Sequence, residues 1–252
     1  MINRRHLLAG AAALAAPAWA NGFPDNVPDG LVFFVGNSFT RQHGVPALVC
    51  RLARHDGAMV HCHPHTANGA HLWDLLDFVR AMEAERTGPI KGTVVLQDHS
   101  TAPLTTAARK RSAEAMARFS ALFEGTVLFQ TWPRQAGHSL YGEPGMPTTP
   151  ADMVAAVDAH YMQQADRLGA RVARVGMAWM AATQAGINLF ARDGYHANAM
   201  GAWLAALMLT AALEIADPYT ALDAADPYPD LRPDGLSADA TRDLIKIARR
   251  YT

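Results

Sequence analysis

The chain has 252 residues, half of them hydrophobic and 18% charged, with 22 Lys and Arg against 23 Asp and Glu. That balance excludes a disordered or fibrous chain, and the length suits one α/β domain without a second core. With the charges balanced and no basic run after the first twenty residues, the chain is not a nucleic-acid binder, and small-molecule or polymer substrates fit better.

Met1 to His6 carry Arg4 and Arg5, Leu7 to Ala15 are apolar, and Ala18-Trp19-Ala20 offers a small-x-small cleavage site. So short an apolar run does not comfortably span a bilayer, and residues 1–20 read as a signal peptide. The paired arginines before Leu7-Leu8 resemble a twin-arginine export signal. The expectation is an exported protein, periplasmic or secreted, with a single domain over residues 21–252 and no stable membrane span after signal removal. Without the leader, 20 bases face 23 acids, a net charge of −3. Cys50 and Cys62 are too few for a disulfide scaffold and lack metal-like spacing. Burial as reduced thiols is expected, with pairing after export as the alternative.

Along the rest of the chain, short runs of Val, Leu and Phe alternate with longer amphipathic stretches. The first strand is Leu31 to Val35, followed by Gly36-Asn37-Ser38-Phe39-Thr40 and a helix over Val45 to His55. Ala58 to His63 is the second strand and Leu72 to Glu83 the next helix. Thr93 to Leu96 reads as a central buried strand, with a helix from Thr106 to Phe123. Thr126 to Gln130 is the fourth strand, and the Pro- and Gly-containing segment from Thr131 to Pro150 is longer than a simple connector needs. A helix over Asp152 to Leu168, a fifth strand at Arg171 to Val175 and an Ala-rich helix over Ala197 to Ile215 follow. Asp217 to Asp234 is an irregular wrap before a last helix from Ala238 to Arg250. The order predicts five parallel strands with helices on both faces.

In such sheets the active crevice lies beyond the carboxyl ends of the strands. There the chain places Ser38, Asn68-Gly69, Gln97-Asp98-His99-Ser100 and, before the long Ala-rich helix, Asp193-Gly194-Tyr195-His196. A serine hydroxyl needs an imidazole to take its proton and a carboxylate to orient that imidazole. Asp193 and His196 supply both types, three positions apart on a turn. Taken alone, an Asp-x-x-His pair is more often a surface turn, and Asn37, Ser38 and Thr40 are all competent helix caps.

Gly36-Asn37-Ser38-Phe39-Thr40 resembles the first block of the SGNH/GDSL hydrolases, and Asp193-Gly194-Tyr195-His196 resembles their last block. Val94 to Ser100 and Gly176-Met177-Ala178-Trp179 are similar to a bacterial branch of that superfamily. The resemblance covers roughly Leu31 to Leu213. It implies the SGNH-hydrolase fold, a flavodoxin-like three-layer α/β/α sandwich on a five-stranded parallel sheet. It also implies a triad of Ser38, Asp193 and His196, no cofactor, and a small-molecule or carbohydrate ester as substrate. The oxyanion hole would be the N–H groups of Ser38 and Gly69 with a side-chain amide, for which this sequence offers Gln97 where the superfamily has asparagine. Asn37, Asn68 and Trp132 are candidates to contact substrate.

Other readings compete. His61, Cys62, His63, Pro64, His65 and His71 contain metal-ligand types, but the spacing is poor and no carboxylate lies near, so a metal-binding protein on His61, His63 and His65 ranks last. A solvated or substrate-facing His65 is preferred. A ligand-binding protein of the same fold is the main alternative to an esterase. Arg134, His138 and Tyr141 either line a pocket or pack within their loop, whereas Trp179 and Trp203 read as core. Nothing in the sequence sets the oligomeric state.

Overall fold

The computed structural model describes residues 30–85 and 88–252, so the signal-peptide reading lies outside the described residues. Strand β1 (Leu31–Gly36) is buried throughout. Its side chains divide by alternation: Val32 and Phe34 enter one core, while Leu31, Phe33 and Val35 enter the other. A strand apolar on both faces demands cover on both faces, which is why its hydrophobic run is continuous. Around it lie β2 (His61–Thr66), β3 (Ile90–Leu96), β4 (Phe123–Phe129) and β5 (Arg171–Ala173). All pair in parallel, in the order β2-β1-β3-β4-β5.

Helices α2 (Val45–His55), α6 (Val175–Gln184), α7 (Ala199–Leu213) and α8 (Ala238–Arg249) supply the core on the Val32 face. The Phe33 face is covered by α3 (Leu76–Glu85), α4 (Thr106–Ser120) and α5 (Pro150–Leu168). Eleven of the fifteen residues of α7 are buried, as befits a helix apolar all round. Each Leu sealed there contributes about 1.5–3 kcal/mol. Gly201 lets it sit close: a Cβ would fall 2.4 Å from Trp179 and 2.6 Å from the carbonyl oxygen of Leu189.

The chain leaves β1 for β2 on one side and then crosses back to β3 on the other. This switch point opens a crevice at the carboxyl ends of β1 and β3.

Several boundaries differ from expectation. The second strand is Ala58 to His63 by sequence but His61–Thr66 in the fold, because it is an edge strand and its His-Cys-His-Pro-His-Thr run carries no apolar signal. Helix α6 had no counterpart: no side chain caps it at Arg174, and its apolar run is short. The cysteines are not free thiols. Cys50 on α2 and Cys62 on β2 form a disulfide. His65 does not line the cavity beside Ser38; it is partly buried and packs on Phe78 with ring centroids 4.7 Å apart, and that burial pushes its pKa down. No group of three or more His, Cys, Asp or Glu is placed to hold a metal among the described residues. No helix among them is long and apolar enough to cross a membrane.

Candidate active site

Ser38 opens α1 (Ser38–Arg41), a single turn directly after β1. Asn37 caps it, its Oδ1 accepting from the N–H of Phe39 at 3.1 Å. As the first helical residue, Ser38 has no intrahelical acceptor for its N–H, which leaves a main-chain donor beside its own hydroxyl. Its Oγ lies 2.8 Å from Nε2 of His196. On the far side of the ring, Nδ1 lies 2.7 Å from Oδ2 of Asp193.

The turn that carries this pair is internally braced. Oδ1 of Asp193 accepts the N–H groups of Tyr195 at 3.1 Å and His196 at 3.0 Å. Gly194 between them takes φ +71°, a left-handed conformation that a Cβ would strain. Partial burial pushes the Asp193 carboxyl up, but the bonds from the His196 ring and the two N–H groups outweigh it and hold the pKa below the usual range. Asp193 is therefore an anion placed to keep the Nδ1 proton of His196 and leave Nε2 free to accept from Ser38.

These groups border a cavity of about 270 Å³ lined by Ser38, Phe39, Asn68, Gly69, His99 and Tyr195, among others. Gly69 sits at φ +69° in the turn after β2, where Ala70 N–H donates to Ala67 O. Asn68 is exposed, and its Oδ1 accepts from Nε of Arg41 at 3.1 Å. With the oxygen engaged, the amide NH₂ of Asn68 remains to donate.

Two sequence-predicted roles change. Gln97 is fully buried and does not line the cavity. Its Oε1 accepts from the N–H of Asn37 and the hydroxyl of Thr40, and its Nε2 donates to the carbonyl of Asp98. The amide cannot be turned over, because the Asn37 N–H requires an oxygen and the Asp98 carbonyl requires a donor. Gln97 is thus a strap holding β1, α1 and β3 together, and its full burial outside the cavity lining keeps its amide from an oxyanion at Ser38. Asn37 lines the cavity, and its Nδ2 donation to the carbonyl of Ala70 at 2.9 Å also fixes the loop. Trp132 is fully buried, stacked on Trp179 at 4.1 Å, and its Nε1–H donates to the carbonyl of Tyr195.

The sequence did not single out His99 as a site residue. It lines the cavity, and its Nδ1 accepts the N–H of Thr101 at 3.3 Å. Burial first, then the positive neighbours His71 and Arg134, push its pKa down to about 4. The neutral ring therefore carries its proton on Nε2. Its only sequence signal is its place after the third strand. Arg134, 7% exposed, lies over the Tyr195 ring at 4.3 Å and makes its loop part of the wall behind the cavity.

No protein-family model matches the sequence. No curated protein matches it. Solved structures do. A candidate SGNH hydrolase from Slackia heliotrinireducens is 25% identical, with a TM-score of 0.58 over 73% of this chain and 98% of the other. A DUF4886 family protein from Bacteroides uniformis is 17% identical, with a TM-score of 0.67 over 88% and 93% of the two chains. A variant of an acetyl xylan esterase from Geobacillus stearothermophilus is 13% identical, with a TM-score of 0.56 over 75% and 96%. The architecture is an α/β/α sandwich with a flavodoxin-like strand order. The fold is that of the SGNH/GDSL hydrolases.

Proposed function

We propose that the protein is a serine-dependent ester hydrolase acting on small acyl groups, acetyl esters of carbohydrates being the favoured class. One observation carries the reading: the relay from Ser38 Oγ through His196 to Asp193, with contacts of 2.8 and 2.7 Å. In this mechanism the Ser38 Oγ attacks the ester carbonyl while its proton passes to Nε2 of His196, and Asp193 stabilises the imidazolium. The oxyanion is met by the N–H groups of Ser38 and Gly69 and the side-chain amide of Asn68. His196 then protonates the departing alcohol, and water, activated by the same ring, releases the acid from the acyl-serine. The Nε2–H of His99 contributes a donor for the substrate on the opposite wall.

The cavity of about 270 Å³ beside Ser38 is at the small end for a ligand site and so suits a short acyl group. The neighbours named as an acetyl xylan esterase and a lipase/acylhydrolase support ester chemistry at a coarser level. The leader around Arg4-Arg5 and the Cys50–Cys62 disulfide both suit an exported protein, since disulfides persist in oxidising compartments.

A fluorophosphonate probe tests the reading directly. The native protein is expected to be labelled and the Ser38→Ala protein not. In a series of p-nitrophenyl esters, kcat/KM is expected to peak at two or three carbons. Absence of labelling together with absence of turnover would overturn the proposal in favour of a ligand-binding role.

A further inference from the structure

A second cavity, of about 450 Å³, lies beside the one that holds Ser38. Its rim carries Arg41, Arg51 and Arg54. Arg51 and Arg54 stand three positions apart on α2 and so share one face of it. Pro46 and Ala47 on α2, Pro64 on β2 and the Cys50–Cys62 disulfide form the floor, which is consequently apolar and covalently pinned.

The charge of the rim is uncompensated. Arg41 donates to the Asn68 side-chain oxygen, Arg51 to the main-chain carbonyl of Asp230 at 2.7 Å, and Arg54 to that of Val60 at 3.1 Å. None of the three makes an ion pair with a carboxylate among the described residues, although seven other ion pairs of Arg or Lys with Asp or Glu form there. Asp230 and Asp234 face a separate cavity on the other side of Arg51.

The linings of the two cavities are joined by the chain and by the bond from Arg41, in the groove, to Asn68, in the Ser38 cavity. Ser38 begins and Arg41 ends the same turn of α1, so their backbones are separated along the axis by only about 5 Å. Thr66 closes β2 in the groove, and Asn68 and Gly69 follow it into the Ser38 cavity. A chain whose ester lies at Ser38 and whose remainder passes Arg41 enters the groove and meets Arg51 and Arg54.

We propose that this groove is a subsite for the non-reacting part of the substrate, and that this part is anionic: an acylated oligosaccharide bearing carboxylate or phosphate groups. The apolar floor suits the C–H faces of sugar rings, and the rim supplies guanidiniums that bind either anion. The inference rests on the esterase reading only in naming the bound chain as a substrate. Binding by the groove can be measured without catalysis.

The first arm compares kcat/KM for O-acetylated oligogalacturonate with that for O-acetylated xylo-oligosaccharide of equal length, by acetate release. The acidic substrate is expected to lead by about 10-fold at low ionic strength and to lose most of that lead in 0.5 M NaCl, where exposed charges are screened. In the Arg51→Gln/Arg54→Gln protein the ratio falls to within about twofold. The second arm measures binding of non-acetylated oligogalacturonate and of linear polyphosphate to the Ser38→Ala protein by calorimetry, with and without the two Arg substitutions. Salt-sensitive binding of either polyanion, weakened about 10-fold by the substitutions, supports the subsite and tells carboxylate from phosphate. If neither polyanion binds, or if binding survives the substitutions with the melting temperature unchanged, the subsite is wrong whatever the enzyme does. Binding without turnover or probe labelling would instead sink the esterase reading and leave the groove standing.

Discussion

The indole Nε1–H of Trp132 donates to the carbonyl oxygen of Tyr195 at 2.9 Å, so a residue after β4 holds the peptide next to the imidazole that faces Ser38. Trp132 is therefore a positioning residue. Trp132→Phe keeps a ring on Trp179 and loses only the donor. It is expected to lower kcat roughly 10-fold with little change in KM, because a small misplacement of His196 acts on the reacting geometry. A Trp132→Phe protein with wild-type kcat would show that packing alone places the turn.

Asp193→Asn retains the shape of the turn but offers an NH₂ to Nδ1 of His196, which moves the ring proton to Nε2, facing Ser38. The base is then in the wrong tautomer. A loss of roughly 10³- to 10⁴-fold in kcat is expected, with the melting temperature almost unaffected. A loss under tenfold would place the orienting role elsewhere.

Gln97 and Asn68 separate stability from catalysis. Gln97→Ala leaves the Asn37 N–H and the Asp98 carbonyl without a partner in a buried place, at a cost of about 1–3 kcal/mol, read as a fall of several degrees in melting temperature. Asn68→Ala touches an exposed residue and should leave melting unchanged while kcat falls by roughly 10²-fold, the loss of one oxyanion donor. Interchanged results would return Gln97 to the oxyanion hole.

The contrast shows what a sequence carries. Ser38, Asp193 and His196 could be singled out only through the resemblance of their two blocks to the SGNH/GDSL hydrolases, since alone they read as a cap and a surface turn, whereas α2 was legible from Val45 to His55 because its apolar face repeats at helical spacing. The direction of the Gln97 amide was not, for it depends on an N–H sixty positions away. Neither was the tautomer of His99, which Thr101 sets through a bond visible only in three dimensions. Strand β2 slipped by three residues because polar side chains on a sheet edge give no periodic signal.

Two desolvated histidines, one buried and one on the cavity wall, make stability depend on pH. Burial pushes both His99 and His160 down from an ordinary 6.5 to about 4. Between those values the unfolded chain binds more protons than the folded one, so stability is complete above pH 6.5 and declines as the pH falls towards 4. The loss over that interval is expected to be on the order of several kcal/mol, followed in denaturant titrations, with His160→Gln flattening the slope. A slope the same in His160→Gln as in the native protein would remove that residue from the account.

Gly201→Ala forces a methyl group towards Trp179 and the Leu189 carbonyl, neither of which can withdraw. Overpacking of this kind costs about 1–3 kcal/mol. Thermal unfolding should fall accordingly, and an unchanged midpoint would mean that α7 can slide.

Ser38 and His196 stand 158 positions apart in the chain, yet they share a hydrogen bond. At about 5–20 residues per second of synthesis, the serine leaves the ribosome roughly 8–30 seconds before its base exists. Throughout that interval it is an ordinary alcohol, unable to attack the esters of its surroundings. On the proposed mechanism reactivity thus arrives only once His196 has been made and has folded against Ser38, and labelling of Ser38 becomes a clock for that assembly.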